Sequence, residues 1–383
     1  MKAVINQKIF SGENKYCELA TILNAKNIKN VFFVCGENSK KLIIYKKIEE
    51  ICKNKEIEFI VFSDFEANPE YNSVVKGLRK FRENGYDAII SIGGGSAMDV
   101  AKCIKMFANM DENKSFLQQE IIQSDVLLIA IPTTAGTGSE STQFAVIYYE
   151  GEKQSVDNII GLPDIVLLDA ESLKQLPEYQ RKATALDVLC HGIESYWSIK
   201  STDQSKELAK EAIKGFFRYY QGYLNNIESE NEGMLLTANL AGRAINITRT
   251  TAVHAMAYKL SKLYNIAHGH AVGICLPPLF KYISRHLEQC CDIRGEAYLQ
   301  ETLQEIAGFA GYDNIEEFSE RLEKLIVKDL QLQITSSVSD DNLEELCKSV
   351  NMVRLKNNPV KFEEEDLKKL YIYILGLNEG NSI

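Results

Sequence analysis

Ala88 to Lys102 reads A-I-I-S-I-G-G-G-S-A-M-D-V-A-K. The run up to Ile92 is apolar and rich in β-branched residues, which predicts a strand. The run from Ala97 carries apolar residues at helical spacing. Gly93, Gly94, Gly95 and Ser96 lie between them. Glycines there let the backbone approach a ligand closely, and the first N–H groups of the helix, with its dipole, face an anion. Ser96 can cap the helix or bond a phosphate oxygen. A bare glycine run carries little weight. One set between a strand and a helix reads as a phosphate cradle rather than a plain turn. It is not the G-x-G-x-x-G fingerprint, so the standard dinucleotide motif does not apply.

A second such loop follows the next apolar run. Ile131 to Thr142 reads I-P-T-T-A-G-T-G-S-E-S-T, with hydroxyls at Thr133, Thr134, Thr137, Ser139, Ser141 and Thr142. Loops after successive strands fall side by side at one sheet edge, where open α/β sheets bind nucleotides.

Strand-like runs at Asn30–Cys35, Glu58–Ser63, Asp87–Ile92 and Val126–Ile131 alternate with helix-like runs at Lys40–Lys53, Tyr71–Asn84 and Ala97–Ala108. That alternation predicts an α/β domain with a parallel sheet. After about residue 180 the pattern changes to long amphipathic stretches: Ser205–Asn225, Asn231–Ile247, Leu299–Gly308, Ile315–Lys328, Asp340–Val350 and Glu363–Leu375. The expected organisation is an α/β dinucleotide-binding domain over 1–179 and an all-α metal and substrate domain over 180–383. Leu162–Tyr179, broken by Pro163 and Pro177, is the expected bridge.

Composition bounds the function. The 383 residues suit about two domains. A net charge of -10 argues against nucleic acid as a partner. Met1 to Phe10 lacks a long apolar core and a small-residue cleavage site, so no signal peptide is expected. No apolar run reaches the roughly 20 residues that span a bilayer. Nine cysteines without C-x-x-C spacing read as free thiols, and the expected compartment is the cytoplasm.

Of five histidines, His286 in a polar helix reads as an ordinary surface or core residue. Asp187 and His191, in A-L-D-V-L-C-H-G-I-E-S-Y-W, are i and i+4 and share one face of a helix. His254 lies in a second helical stretch, and His268 begins H-G-H-A after a loop. One Asp and three His form a donor set suited to Zn²⁺ or Fe²⁺.

At this point the chain resembles the iron-containing, or group III, alcohol dehydrogenases. The motifs are F-E-A-N-P at Phe65–Pro69, G-G-G-S-A-M-D-V-A-K at Gly93–Lys102 and P-T-T-A-G-T-G-S-E at Pro132–Glu140. They continue with D-V-L-C-H at Asp187–His191, H-A-M-A-Y at His254–Tyr258 and H-G-H-A at His268–Ala271. The resemblance implies a nicotinamide-dependent oxidoreductase acting on a small alcohol or aldehyde, and a homo-oligomer, expected as a dimer. It implies Asp187, His191, His254 and His268 as metal ligands, with Fe²⁺ or Zn²⁺ as the ion. It places Gly94, Gly95, Ser96, Asp99, Thr133, Thr134 and Lys153 at cofactor positions. Many members carry a histidine four residues after the His254 equivalent. This chain has Tyr258, so a tyrosine hydroxyl or water would take over any proton relay.

Two finer expectations follow. NAD-using relatives often carry an Asp where this chain has Gly36. Gly36 leaves room for a 2′-phosphate that Ser39 with Lys40 or Lys41 could meet, so NADPH is favoured over NADH, with Glu37 arguing the other way. Ahead of His254 stand Asn246, Thr248, Arg249, Thr250 and Thr251, with Lys259 after it. Arg249 and Lys259 are candidate contacts for an anionic substrate tail. The T-x-T-T-A-x-H-A-M-x-Y run with E-S-Y-W-S at Glu194–Ser198 is similar to the phosphonoacetaldehyde reductase branch. The expected reaction is reduction of a short aldehyde with an anionic tail, phosphonoacetaldehyde to 2-hydroxyethylphosphonate first and succinic semialdehyde second. The alternatives are a general short-chain alcohol dehydrogenase of butanol or propanediol type, and a dehydroquinate-synthase-like lyase.

Overall fold

The structure, a computed structural model, describes residues 7–334 and 340–376. Residues 1–6 of the N-terminal stretch considered above lie outside them. The chain divides into two compact units, Met1–Leu176 and Pro177–Ile383.

The first unit is built on a six-stranded sheet. Its strands are β1 (Lys8–Phe10), β2 (Asn30–Cys35), β3 (Glu58–Phe62), β4 (Ala88–Gly93), β5 (Leu127–Pro132) and β8 (Ile165–Leu167). They lie in the order β1-β8-β5-β4-β2-β3, and every neighbouring pair is parallel. β4 and β5 are buried along their whole length, as near-continuous apolar strands covered on both faces must be. Side chains alternate between two cores. Val31, Phe33 and Cys35 of β2 pack with Leu19 and Leu23 of α1 (Lys15–Ala25) and Ile44 and Ile48 of α2 (Ile43–Asn54). Phe32 and Val34 pack instead with Val74 and Leu78 of α3 (Tyr71–Asn84) and Ile104 and Phe107 of α4 (Gly95–Phe107).

The helices that follow β2 and β4, adjacent strands, thus cover opposite faces. That is a topological switch point, and ligands of open α/β sheets bind there, beyond the carboxyl ends of the strands. Cys35 pairs with Ile92 in register, which sets Gly36 and Gly93 at this edge.

Several elements were not expected from the sequence. The presumed bridge contains β8, a three-residue strand inserted between β5 and β1. β1 and α1 went unread. β6 (Phe144–Tyr149) and β7 (Glu152–Asp157) form a separate antiparallel hairpin. Its turn, Glu150-Gly151, has both φ values positive, the arrangement that matches the twist of two paired strands. The helix expected at Lys40–Lys53 is broken at Leu42, with a 3-10 turn at Glu37–Lys41 before α2.

Among the described residues the second unit is helical. It opens with α5 (Glu178–Trp197), α6 (Asp203–Leu224), α7 (Glu228–Thr248), α8 (Ala252–Leu263) and α9 (His268–Arg285). α10 (Glu296–Phe309), α11 (Ile315–Lys324), α12 (Asp340–Lys348), α13 (Met352–Leu355) and α14 (Glu364–Ile374) follow. α11 runs into a π turn at Leu325–Leu330, so the helix expected to reach Lys328 ends earlier in regular form. α5 packs against α6, α7 and α9 and is buried on nearly every side from Ala183 onward. Gly269 explains how α9 comes so close. A Cβ there would lie 2.0 Å from the carbonyl oxygen of Ala183 and 3.2 Å from the Cβ of Asp187. No helix of the described residues is long and apolar enough to cross a membrane.

Candidate active site

In the first unit the two loops read from the sequence do come together. Gly93 pairs with Pro132, and the Thr133 N–H donates to the Gly93 carbonyl at 3.0 Å. α4 starts at Gly95 with Gly94 as its N-cap, and no side chain caps it. Gly94 has a negative φ of -83°, so it is not there for backbone freedom. Nor does protein packing demand it. A Cβ on Gly94 would meet Thr134 no closer than 3.5 Å, and one on Gly95 would meet Thr137 at 3.4 Å. What a Cβ would fill is the space between the two loops, beside the first-turn N–H groups, which a helix leaves without an intrahelical partner. This is a fit for a phosphate.

Ser96 accepts the backbone N–H of Asn68 at 3.3 Å, which draws the F-E-A-N-P loop to the same turn. The Ser96 hydroxyl proton is therefore left to point elsewhere. Beneath the loops lies Lys102, wholly buried. Its Nζ donates to Ser139 Oγ at 2.8 Å, Thr142 Oγ1 at 2.9 Å and the Phe144 carbonyl at 3.0 Å. Burial pushes Lys102 down to about 8, against the pull of Asp99 and Glu140. Asp99 accepts from Ser139 Oγ at 3.3 Å. Burial lifts it to about 6 although Lys102 and Lys153 draw it back. Asp99 and Lys153 thus sit in one electrostatic network with the threonine-rich loop.

At the neighbouring strand end, Gly36 has an ordinary φ of -69°, and a Cβ there would meet nothing within 4 Å. Ser39 Oγ is 3.9 Å from where a Gly93 Cβ would stand. Lys40 is paired with Glu37 at 2.6 Å, so the acid and the base weighed against each other in the sequence balance one another.

In the second unit, Asp187, His191 and Glu194 fall at i, i+4 and i+7 of α5 and are all buried. His254 stands in the first turns of α8, and His268 is the first residue of α9. One ligand atom each from Asp187, His254 and His268 lies within 4.8 Å of the others. His254 Nε2 is 3.3 Å and His191 Nε2 3.6 Å from Asp187 Oδ1. The His191 and His254 rings stack at 4.6 Å, and those of His254 and His268 are 5.4 Å apart. A cation bound at roughly 2.0–2.2 Å sets neighbouring ligand atoms about 3–3.6 Å apart, so these spacings and donor types fit a metal ion.

Glu194 was not singled out as a site residue by the sequence reading. It binds His254 Nδ1 in a very short contact and also accepts from Thr251. A carboxylate accepts only, so Nδ1 carries a proton, which leaves Nε2, 3.3 Å from Asp187 Oδ1, as the ring atom available to a cation. Burial alone would lower His254. The carboxylates of Glu194 and Asp187 outweigh it and lift it to about 10. Burial would likewise raise Asp187, but His191, His254 and His268 hold it well below the usual carboxylate range. The i+7 spacing on α5 was the only sequence signal for Glu194.

The Tyr258 ring lies parallel to that of His268, 5.9 Å away with 6° between planes. His270 is fully engaged instead: Tyr179 Oη is 3.1 Å from its Nδ1, and its Nε2 is 3.1 Å from the Leu332 carbonyl. His286 bonds the Tyr282 carbonyl at 2.9 Å through Nδ1. Arg249 has φ 63° and ψ 174°, a region that is costly for any residue but glycine, and a guanidinium nitrogen donates to the Asn246 carbonyl at 2.6 Å. Lys259 pairs with Glu345 on α12, which already balances its charge.

A parallel six-stranded sheet with a glycine turn, followed in one chain by a helical unit with an Asp–His cluster, defines a two-unit class of α/β and all-helical domains. The model of the iron-containing alcohol dehydrogenases matches residues 6–170, and that of the Fe-containing alcohol dehydrogenase C-terminal region matches 182–375. The chain belongs to the iron-containing alcohol dehydrogenase family. It is 32% identical to aldehyde-alcohol dehydrogenase 2 of Entamoeba histolytica over 67% of its own length, and spans 32% of that longer protein. It is 27% identical to the NADPH-dependent butanol dehydrogenase of Clostridium saccharobutylicum over 97% of both chains. The crystal structure of sulfoacetaldehyde reductase from Bifidobacterium kashiwanohense in complex with NAD⁺ shares the fold. Its TM-score is 0.86 at 24% identity, with 98% of each chain covered.

Proposed function

We propose that the chain is a metal-dependent dehydrogenase that moves a hydride between NADPH and a short aldehyde carrying an anionic tail, with phosphonoacetaldehyde first and succinic semialdehyde second. The observation that carries the oxidoreductase reading is the group of buried Asp187 and His254 with half-buried His268, and with His191 3.6 Å from the shared carboxylate. These four residues would hold Fe²⁺ or Zn²⁺. When bound, the ion supplies Lewis-acid polarisation of a carbonyl oxygen and the nicotinamide supplies the hydride.

The chain's own residues do the rest. Gly94, Gly95 and Ser96 receive the pyrophosphate at the uncapped start of α4. Thr133 and Thr134 close the other side, and Asp99 and Lys153 belong to the same network. Gly36 is free of any backbone or packing demand. Its small size is therefore best understood as room for a ligand, which supports NADPH. Tyr258, stacked on His268, is the residue through which a proton would be returned to the product oxygen.

Arg249 supports the anionic tail. A strained backbone at a non-glycine residue persists only when its surroundings hold it, and such residues cluster at functional sites. Thr248 Oγ1 donates to the Arg249 carbonyl at 2.9 Å, and the Thr250 carbonyl accepts from Asn357 at 3.0 Å, so the strained residue is fixed on both sides. Lys259, neutralised by Glu345, is left out of this reading. The sulfoacetaldehyde reductase with the same fold is named for another two-carbon aldehyde with an anionic tail. A second reading, a plain short-chain alcohol dehydrogenase, is favoured by the full-length match to the butanol dehydrogenase.

The test is kcat/KM of the metal-loaded chain on phosphonoacetaldehyde, succinic semialdehyde and butanal with each cofactor. A preference for the anionic aldehydes with NADPH supports the proposal. A preference for butanal decides for the second reading.

A further inference from the structure

We propose that Glu194 is a positioning residue for the metal centre: it fixes the tautomer and ring orientation of His254 so that Nε2 faces Asp187 and the cation. The inference rests on the metal-centre reading above and adds a residue to it.

Glu194 is wholly buried on α5, two turns after Asp187. Its Oε1 accepts the Thr251 N–H at 2.8 Å, the Thr251 hydroxyl at 2.7 Å and the His254 N–H at 3.2 Å, and Oε2 takes His254 Nδ1. All four partners are donors. The Thr251 hydroxyl cannot turn away, because its oxygen accepts Trp197 Nε1 at 2.9 Å. α8 begins with Thr251 as N-cap, yet the Thr251 side chain does not cap it. The carboxylate of α5 does so from outside. One side chain therefore sets where α8 starts and which way the imidazole two residues into it points. Histidine ligands commonly donate their second ring N–H to a carboxylate, which raises ligand basicity and fixes the ring.

The arrangement makes glutamine a discriminating replacement. An amide offers an acceptor at one end and donors at the other. With NH₂ toward Thr251 and the α8 backbone, donors face donors. With NH₂ toward His254, Nδ1 must become the acceptor and Nε2 takes the proton, leaving no lone pair for a cation. The first orientation breaks the bonds that fix the start of α8 and with it the placement of the ring, the second removes the lone pair, and both keep the volume of the side chain.

The experiment is titration of the purified metal-free chain with Co²⁺ and Zn²⁺ against a competing chelator, read with the Co²⁺ d–d spectrum. Wild type should bind one ion. Glu194→Gln should bind it roughly 10–100-fold more weakly with an altered spectrum. Thr251→Val removes one capping bond but keeps the His254 contact. It should lower the unfolding temperature and leave metal affinity within about threefold, well short of that loss.

A folded Glu194→Gln chain with wild-type affinity and spectrum overturns the proposal. So does a Thr251→Val chain that loses as much affinity, since capping alone would then carry the effect. If Glu194→Gln does not fold, ¹⁵N shifts of the histidines in the Zn²⁺-loaded wild type decide: a protonated Nδ1 on His254 supports the role, and a protonated Nε2 overturns it. A wild-type chain that takes up neither ion overturns the metal centre itself, a different result from a variant that binds unchanged.

Discussion

Two helix N-termini, those of α4 and α8, face the same chemical problem, several backbone N–H groups without an intrahelical partner. α4 starts from Gly94 with no capping side chain and no acid in its first turn. α8 starts from Thr251 and is capped by Glu194, a carboxylate sent from α5. The first end carries no capping side chain of the protein and suits an anion. The second is filled from within, and the filling group also holds His254. An unfilled helix start beside glycines suits an anion. A filled one, next to a histidine, marks the alignment of a ligand.

If the filled end serves a metal ligand set, removing a ligand has the largest effect. His268→Ala should abolish metal retention and reduce turnover by about a thousandfold or more, with the far-ultraviolet circular dichroism unchanged. Metal content after dialysis checks this. Full metal and full activity in the variant would show that the donor set is misassigned.

The next effect separates the two kinds of glycine. Gly94→Ala adds a Cβ that the protein itself accommodates, so the unfolding temperature should hold while NADPH affinity falls about a hundredfold. Gly269→Ala drives a Cβ onto the Ala183 carbonyl and should cost about 3 kcal/mol of stability by urea unfolding. Equal losses of stability in both would erase the contrast between a space kept for a ligand and a space required by packing.

A third comparison concerns Arg249. Arg249→Ala should lower kcat/KM on phosphonoacetaldehyde by roughly 10–100-fold, the range of a charge-assisted hydrogen bond, and change butanal little. Arg249→Gly should show the same loss yet raise stability by about 1 kcal/mol, because glycine relieves the backbone at φ 63°. Equal damage on both aldehydes would remove the anion-pocket role. The smallest effect is expected at Gly36→Asp, which should move the NADPH to NADH preference by about tenfold toward NADH. An unchanged ratio would place the 2′-phosphate elsewhere.

How far the sequence could be read follows from the same contrast. The glycine turn and its strand are contiguous, so a stretch of fifteen residues, Ala88–Lys102, conveyed the strand, the turn and the helix that the structure shows there. β2, β3, β4 and β5 were legible because each is a run of five or six residues, most of them apolar or β-branched. β1 and β8, at three residues each, are too short for a period to show, and β8 lies in a stretch whose prolines suggested a linker. In the helical unit the i, i+4 pair Asp187 and His191 was visible on one helix. The use of Glu194 was not, because it depends on the start of α8 reaching this one residue of α5, a tertiary contact that no local spacing encodes. For the same reason Lys259 read as a free cation, whereas its partner Glu345 is brought to it only by α12.

The central claim is that a metal ion in the Asp187–His254–His268 cluster supports hydride transfer. Metal-free chain, reloaded with Fe²⁺ or Zn²⁺, should be given NADPH and phosphonoacetaldehyde while reduced-nicotinamide absorbance and alcohol are followed together. One NADPH should be oxidised per alcohol formed, with no reaction in the metal-free chain and recovery on reloading. Aldehyde consumed by the loaded chain without any loss of reduced nicotinamide would contradict the claim.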